Sequence, residues 1–209
     1  MSDASGLTEF QLEVAQLFFG LPASDGFLLG GGAGLLATGL TSRPTQDLDF
    51  FQPSRSVVAA RDEFEAAATR RGWKVIRLRD HDDFVRLQVS GDEALIVDLC
   101  LDSPPVRPAA TTMAGPTLAA DELAGRKVVA LFGRAEARDF ADVHALLERY
   151  TKDELLSLAR EIDDGFDDQV FAEMLESIAR YPDAVLADVG ASPPELRTSF
   201  ADWARQLRS

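Results

Sequence analysis

A chain of 209 residues with 46% hydrophobic and 27% charged residues can bury one sizeable core, or one domain plus a helical appendage. Its 35 acidic against 21 basic residues give a formal net charge of −14, which argues against non-specific attraction to nucleic acid unless the basic residues cluster. The single cysteine, Cys100, excludes an internal disulfide, and within the run ALIVDLCL it reads as a buried, inert thiol. The opening MSDASGLTEF lacks the basic segment and long apolar core of a secretory signal. The longest uncharged apolar stretch, 27–40, is too short and too glycine-rich to span a bilayer. A cytoplasmic location without membrane contact is the expectation.

Residues 8–19 set Phe10, Leu12, Val14, Leu17 and Phe18 at helical spacing, with Thr8 as the N-cap, and Pro22 and the SDG turn end this helix. The stretch FLLGGGAGLLATGLTSRPTQDLDFF (27–51) then reads as a strand, a glycine turn opening a short helix, a loop, and a second strand. A glycine turn at a helix start leaves backbone N–H groups for a phosphate. In DLDFF the side chains alternate, so Asp47 and Asp49 share one face of the strand. Two such carboxylates opposite a phosphate-ready turn suit a hard divalent cation such as Mg²⁺. The plainer alternative is a packing turn at 30–32, with Asp47 capping a turn and Asp49 in solvent.

A helix is expected from Ser54 or Ser56 to about residue 71, its face carried by Val57, Phe64 and Ala68, with Gly72 stopping it. Three strand-like runs follow, WKVIRL, DFVRLQV and ALIVDLCL, joined by hairpin turns at DHD and SGDE. The last is almost wholly apolar and is expected to be central. Five strands with interposed helices make an α/β or α+β domain over 1–103. The proline-rich 104–116 is read as a crossing and a boundary, and 117–209 as a helical subdomain. Its helices are expected over 119–132, 137–150, 152–162, 168–181 and 194–207, with Pro194 in the first turn of the last.

Asp98 stands alone in ALIVDLCL. A buried carboxylate is costly unless it is paired or binds a metal, so it is either salt-bridged to Arg86 on the neighbouring strand or a third metal-binding acid. His81 and His144 share no metal-ligand spacing, and no serine stands in a nucleophile elbow.

Residues 29–36, Arg43, Thr45 and DLDFF resemble the opening motif of the nucleotidyltransferase superfamily that shares its fold with DNA polymerase β. The branch they resemble most is AbiEii/AbiGii, bacterial toxin-like nucleotidyltransferases paired with antitoxins. That pattern runs glycine-glycine, Ser or Thr, a helix, then Arg, Ser or Thr, and Asp-Leu-Asp. The chain departs from it in having Ala33 where the hydroxyl residue is expected, which removes one phosphate contact. The resemblance implies a mixed sheet flanked by helices, with Asp47, Asp49 and Asp98 binding Mg²⁺, or Mn²⁺ in its place. Asp98 would also act as general base or polarise the attacking hydroxyl through the metal.

A second block, DELAGRKVVALFGRAEARDFADVHALL, is similar to the family's later motif. It implies Lys127 as a contact to the nucleotide triphosphate, Arg138 as a phosphate contact or orienting partner, and Asp139 as a catalytic, polar member of the site, with Asp142 close by. Gly31, Gly32, Ala33 and Arg43 would complete the hold on the NTP. Read without the resemblance, Lys127 and Arg134 are solvated cations and Arg138–Asp142 is an i,i+4 surface pair. The implied reaction is in-line attack on the α-phosphate, with pyrophosphate leaving. The implied acceptor is tRNA, other RNA or protein, and a cognate antitoxin is the implied partner. An RNA acceptor needs the cations of 61–79 and 125–138 to line a cleft. The rival readings are an antibiotic-type small-molecule nucleotidyltransferase, a catalytically weakened nucleotide-binding homologue, and a purely interacting helical protein.

Overall fold

Helix α1 (Glu9–Phe19) starts on a reciprocal cap: the Thr8 hydroxyl accepts from the Gln11 N–H at 3.2 Å, and the Gln11 side chain accepts from the Thr8 N–H at 2.9 Å. The computed structural model describes residues 6–54 and 56–208, and the chain divides into two compact units after Ala120. After α1 the first unit holds β1 (Leu28–Leu29), α2 (Gly31–Ala37), β2 (Asp47–Gln52) and α3 (Val58–Arg70). It continues with β3 (Lys74–Asp80), β4 (Phe84–Ser90), β5 (Ala94–Leu101), β6 (Ala110–Thr112) and β7 (Gly115–Thr117). The expected α3 is present but begins later, at Val58, whose N–H donates to the Ser56 hydroxyl at 3.3 Å.

These strands form one mixed sheet in the order β3-β4-β5-β2-β1-β7-β6. β2 runs parallel to β5 and β1 parallel to β7; the other neighbours are antiparallel. The sheet therefore has seven strands where five were expected. The two extra ones lie in the stretch read as a crossing. β6 and β7 form a hairpin in which Pro116 faces Thr111, and Leu29 of β1 aligns with Thr117. Three-residue strands are too short to show alternation, and Pro116 argued against a strand at all. The first unit accordingly extends through this hairpin.

One face of the sheet carries the core. Leu48, Phe50, Val85, Leu87, Val97 and Leu99 pack with Phe10 and Phe18 of α1 and with Val57 and Phe64 at α3. Phe18 stacks on Phe50 with ring centres 4.2 Å apart and meets Phe27 and Phe64 edge-on. Each such burial contributes about 1.5–3 kcal/mol. At one edge, β3 is exposed along most of its length and bulges between Arg77 and Arg79.

The second unit is helical: α4 (Ala120–Gly133), α5 (Ala137–Leu146), α6 (Lys152–Ile162), α7 (Asp168–Glu176), α8 (Asp183–Asp188) and α9 (Pro193–Leu207). α5 ends before the expected 150, and α7 gives way to a 3₁₀ turn, Ser177–Arg180. The short α8 was not legible, because Pro182 reads as a stop yet serves as its N-cap residue. Phe140, Phe171, Phe200 and Trp203 are buried at its centre, with Phe171 edge-on to Trp203 at 5.4 Å and Phe140 to Phe200 at 5.1 Å.

Candidate active site

β2 alternates as its sequence dictates: Leu48, Phe50 and Gln52 are buried, and Asp47, Asp49 and Phe51 occupy the opposite face, half-buried. Register then aligns charged residues on that face. Asp49 faces Asp98 on β5, Asp98 faces Arg86 on β4, and Arg86 faces Arg79 on β3. Adjacent strands lie about 4.8 Å apart, so two acids and two arginines form one line across four strands.

Asp98 is only 3% exposed, and both of its oxygens are engaged by Arg86: Nε donates to Oδ1 at 2.8 Å and Nη2 to Oδ2 at 2.6 Å. Of the two roles left open for Asp98, the ion pair with Arg86 is the one formed here. The Arg86 guanidinium is held in its charged form first by those hydrogen bonds, then by the charges of Asp98, Asp49 and Asp47 acting against its partial burial. The Phe84 ring lies 5.7 Å from the guanidinium carbon. Among the described residues, no three acidic, histidine or cysteine side chains converge as a metal site. Asp47 and Asp49 on their own still supply two hard oxygen donors on one face, which fit a divalent cation.

The glycine turn sits directly against these acids. The Gly30 N–H donates to the Asp49 carbonyl at 2.9 Å. Gly31 has φ +58°, a left-handed conformation, and a Cβ built on it would fall inside the Asp49 carboxylate. A Cβ on Gly32 would come 2.9 Å from Thr45 Oγ1 and 3.8 Å from Arg43 Nη2. Ala33 is fully buried in the hydrophobic core. Gly32 thus faces polar side chains, whereas Ala33, where the resemblance implies a hydroxyl residue, is buried with the core. The left-handed Gly31 turns the chain so that the next residue looks at the site and the one after it at the core. The hydroxyl beside Gly32 belongs to Thr45, which donates to Asp47 Oδ1 and whose carbonyl accepts from Gln11 Nε2 at 2.8 Å. Arg43, half-exposed in the same loop, donates from Nη1 to the Pro44 carbonyl at 3.2 Å.

In the second unit, Lys127 pairs with Asp142 at 2.7 Å, and the Asp142 side chain is fully buried. Asp139, also fully buried, accepts from Arg134 Nε and Nη2 at 2.8 Å each and from the Glu136 N–H at 3.1 Å. It thereby helps cap α5. Arg138 donates to Glu136 at 2.9 Å. Asp142, ranked behind Asp139 on sequence, is the acid that contacts the lysine. Asp47, Asp49, Asp98, Gly31, Gly32 and Arg43 thus belong to the first unit, and Lys127, Arg138 and Asp139 to the second. The contributions of Thr45, Arg134 and Arg86 were underread. Thr45, two residues before Asp47 on an alternating path, carried a usable signal.

Many of the cations needed to line an RNA cleft are paired with acids. Arg61 pairs with Asp62 and Asp80, and Arg77 with Glu65 and Asp80. Arg126 pairs with the fully buried Glu122 at 2.8 Å. His81 is exposed, and the His144 ring lies 6.2 Å from that of Phe200. Burial, followed by the charges of Asp49, Asp98 and Asp102, pushes the Cys100 thiol well above its ordinary range. Among the described residues, no helix is long and apolar enough to cross a membrane.

Residues 17–208 match a family model described as "Nucleotidyl transferase AbiEii toxin, Type IV TA system". No curated protein matches the chain. Two solved structures from Helicobacter pylori are similar in fold. One is JHP933, 18% identical over 96% of this chain and 93% of its own, with a TM-score of 0.57. The other is a candidate nucleotidyltransferase, 17% identical over 96% of each chain, with a TM-score of 0.58.

Proposed function

The chain belongs to the AbiEii nucleotidyl transferase toxin family, and on that premise we propose that it transfers a nucleoside monophosphate from an NTP to an acceptor hydroxyl on RNA or protein. The observation that carries this reading is the placement of Asp47 and Asp49 on one face of β2, hard against the Cβ-free Gly31 and Gly32. Asp47 and Asp49 would hold a Mg²⁺ ion. When bound, that ion supplies positive charge to phosphate oxygens and favours ionisation of an attacking hydroxyl. The Thr45 hydroxyl fixes the Asp47 carboxylate, and the absent side chains at Gly31 and Gly32 let the Asp49 carboxylate and Thr45 lie directly against the turn. Lys127 and Arg138, carried over from the family's second block, are proposed as contacts to the NTP. The family description includes a toxin–antitoxin system, which supports a cognate antitoxin as partner.

A small-molecule acceptor is the second reading. The pairing of Arg61, Arg77, Arg126, Lys127 and Arg138 with carboxylates favours it, because it removes much of the basic surface a polyanion needs. Incubation of pure protein with each labelled NTP, Mg²⁺ and separate RNA, protein and metabolite fractions decides among these. Label in one fraction, abolished by Asp47→Ala, identifies the acceptor class. Label in none of them, with any nucleotide, would end the transferase reading.

A further inference from the structure

Resting on the nucleotidyl-transfer reading above, we propose that the bare face of β3, β4 and β5 is where the acceptor docks, and that this acceptor is a single strand of nucleic acid held by Lys74 and Arg79. The two faces of these strands differ. On one, Val85, Leu87, Leu95 and Val97 are buried with the core. On the other, which continues into Asp47 and Asp49, Lys74, Ile76 and Arg79 are exposed and Phe84 and Ile96 half-buried. The cations sort by face in the same way. Arg77 lies opposite Leu87 and is taken up by Glu65 of α3 and by Asp80, and Arg61 of α3 pairs with Asp80 as well. Among the described residues, neither Lys74 nor Arg79 has an ion-pair partner. The ion pairs within 61–80 are therefore confined to the helix-covered side. In a chain of net charge −14, a polyanion finds its hold only where cations stand unneutralised.

The bulge in β3 produces this sorting. Ile76 faces Gln88 and Arg77 faces Leu87, after which the register shifts, so that Arg79 faces Arg86 and Asp80 faces Val85. A ladder without the shift would set Leu78 against Arg86, send Arg79 to the helix side and bring Asp80 out on the open face. The extra residue thus exchanges an acid for an arginine on the face that carries Asp47 and Asp49. Lys74 and Arg79 align with Ser90 and Arg86, four residues apart, so they stand about 13 Å from each other along the edge. A strand laid across them meets positive charge at both points, and its bases meet Ile76, Ile96 and the Phe84 ring, with no sequence read. From β3 to β2 is three strand spacings, about 14 Å. There the glycine turn lies against Phe51 and Asp49 and bounds the face on the β1 side. A strand entering over β3 ends at the carboxylates, so the group it presents to a bound metal is a terminal hydroxyl.

The test is binding alone, in the full chain, of a fluorescein-labelled oligouridylate about twelve nucleotides long, followed by anisotropy across a salt series. Wild type is compared with Lys74→Ala/Arg79→Ala and with Arg70→Ala/Arg71→Ala, which removes the same charge from the C-terminal end of α3. Lys74→Ala/Arg79→Ala should weaken binding about tenfold at low salt and flatten the slope of log affinity against log salt by about 0.7 for each cation lost. The α3 variant should stay within about twofold of wild type. Equal losses in the two variants would show that net charge alone acts, and would overturn the proposal. So would wild type that binds no RNA at low salt, or that binds a blunt RNA duplex as tightly as the single strand. Polyglutamate that binds more tightly than the RNA, and is lost in Lys74→Ala/Arg79→Ala, would give the face to an acidic polypeptide and overturn the proposal equally. None of these results touches the transferase reading, which the labelled-NTP incubation with Asp47→Ala tests separately. Circular dichroism checks the fold of each variant, and Lys74→Gln/Arg79→Gln takes the place of an alanine variant that does not fold.

Discussion

Gly31 lies so close to Asp49 that a side chain on the glycine and the aspartate's carboxylate cannot share the space. The left-handed φ of +58° adds a second reason for glycine at that position. Gly31→Ala should therefore destabilise the fold by about 1–3 kcal/mol and push the Asp49 carboxylate out of place. Thermal unfolding and Mn²⁺ binding measured together check this. A variant with wild-type stability and wild-type Mn²⁺ affinity would show that the turn tolerates a Cβ.

Ala33→Ser should not improve nucleotide binding. It places a hydroxyl in the hydrophobic core, at a cost of about 1–3 kcal/mol. Thr45→Val should behave in the opposite way, with stability nearly unchanged but the hydrogen bond that fixes Asp47 lost, and with it metal affinity. Chemical denaturation paired with Mn²⁺ titration distinguishes the two. Tighter nucleotide binding by Ala33→Ser would mean that this residue faces the site after all.

Lys127 and Asp142 form a pair with side chains 12% and 0% exposed, so removing the carboxylate strands the lysine. Asp142→Ala should cost about 3–5 kcal/mol. Lys127→Met/Asp142→Leu should recover most of that stability without recovering nucleotide transfer. A urea titration reads the first effect and label transfer the second. Full activity in the double variant would remove Lys127 from the reaction.

Cys100 carries the pH prediction. Burial raises its pKa in the folded chain, so the neutral thiol is favoured there more than in the unfolded chain. The stability this contributes is fully present below the unfolded thiol's pKa of about 8.5 and is lost as pH rises toward the folded value. The expected outcome is a stability that declines above about pH 8.5 in wild type and declines less in Cys100→Ala. Cys100 is half-buried, not fully buried as expected, so iodoacetamide at pH 8 should modify it more slowly in the folded than in the denatured chain. Rapid labelling of the folded protein would contradict the burial argument.

The carboxylate pair was legible because a half-buried strand imposes a period of two, and Leu48 and Phe50 left Asp47 and Asp49 only one face to occupy. The cap at Thr8 was legible for the same local reason, since Thr8 and Gln11 stand three residues apart. Arg86 opposite Asp98 was readable as one alternative, because a tight hairpin between β4 and β5 constrains register. The burial of Ala33 was not legible, since sequence does not say which of three glycines takes the left-handed conformation that sets the direction of the residues after it. The cap role of Asp139 was not legible, because Asp139 and Asp142 both lie near one face of α5 and the partners that hold Asp139 are Arg134 and Glu136. β6 and β7 are defined by their pairing with β1 and with each other, not by any pattern of their own.

The bulged edge strand β3 has a consequence for solubility. A seven-residue strand with exposed Ile76 and Leu78 offers an open row of backbone donors and acceptors to any other extended chain. Arg77 and Arg79 alternate with those apolar residues, and the bulge at 77–79 breaks the straight ladder an incoming strand needs. The edge at which the seven-stranded sheet ends thus carries its own interruption against an incoming strand.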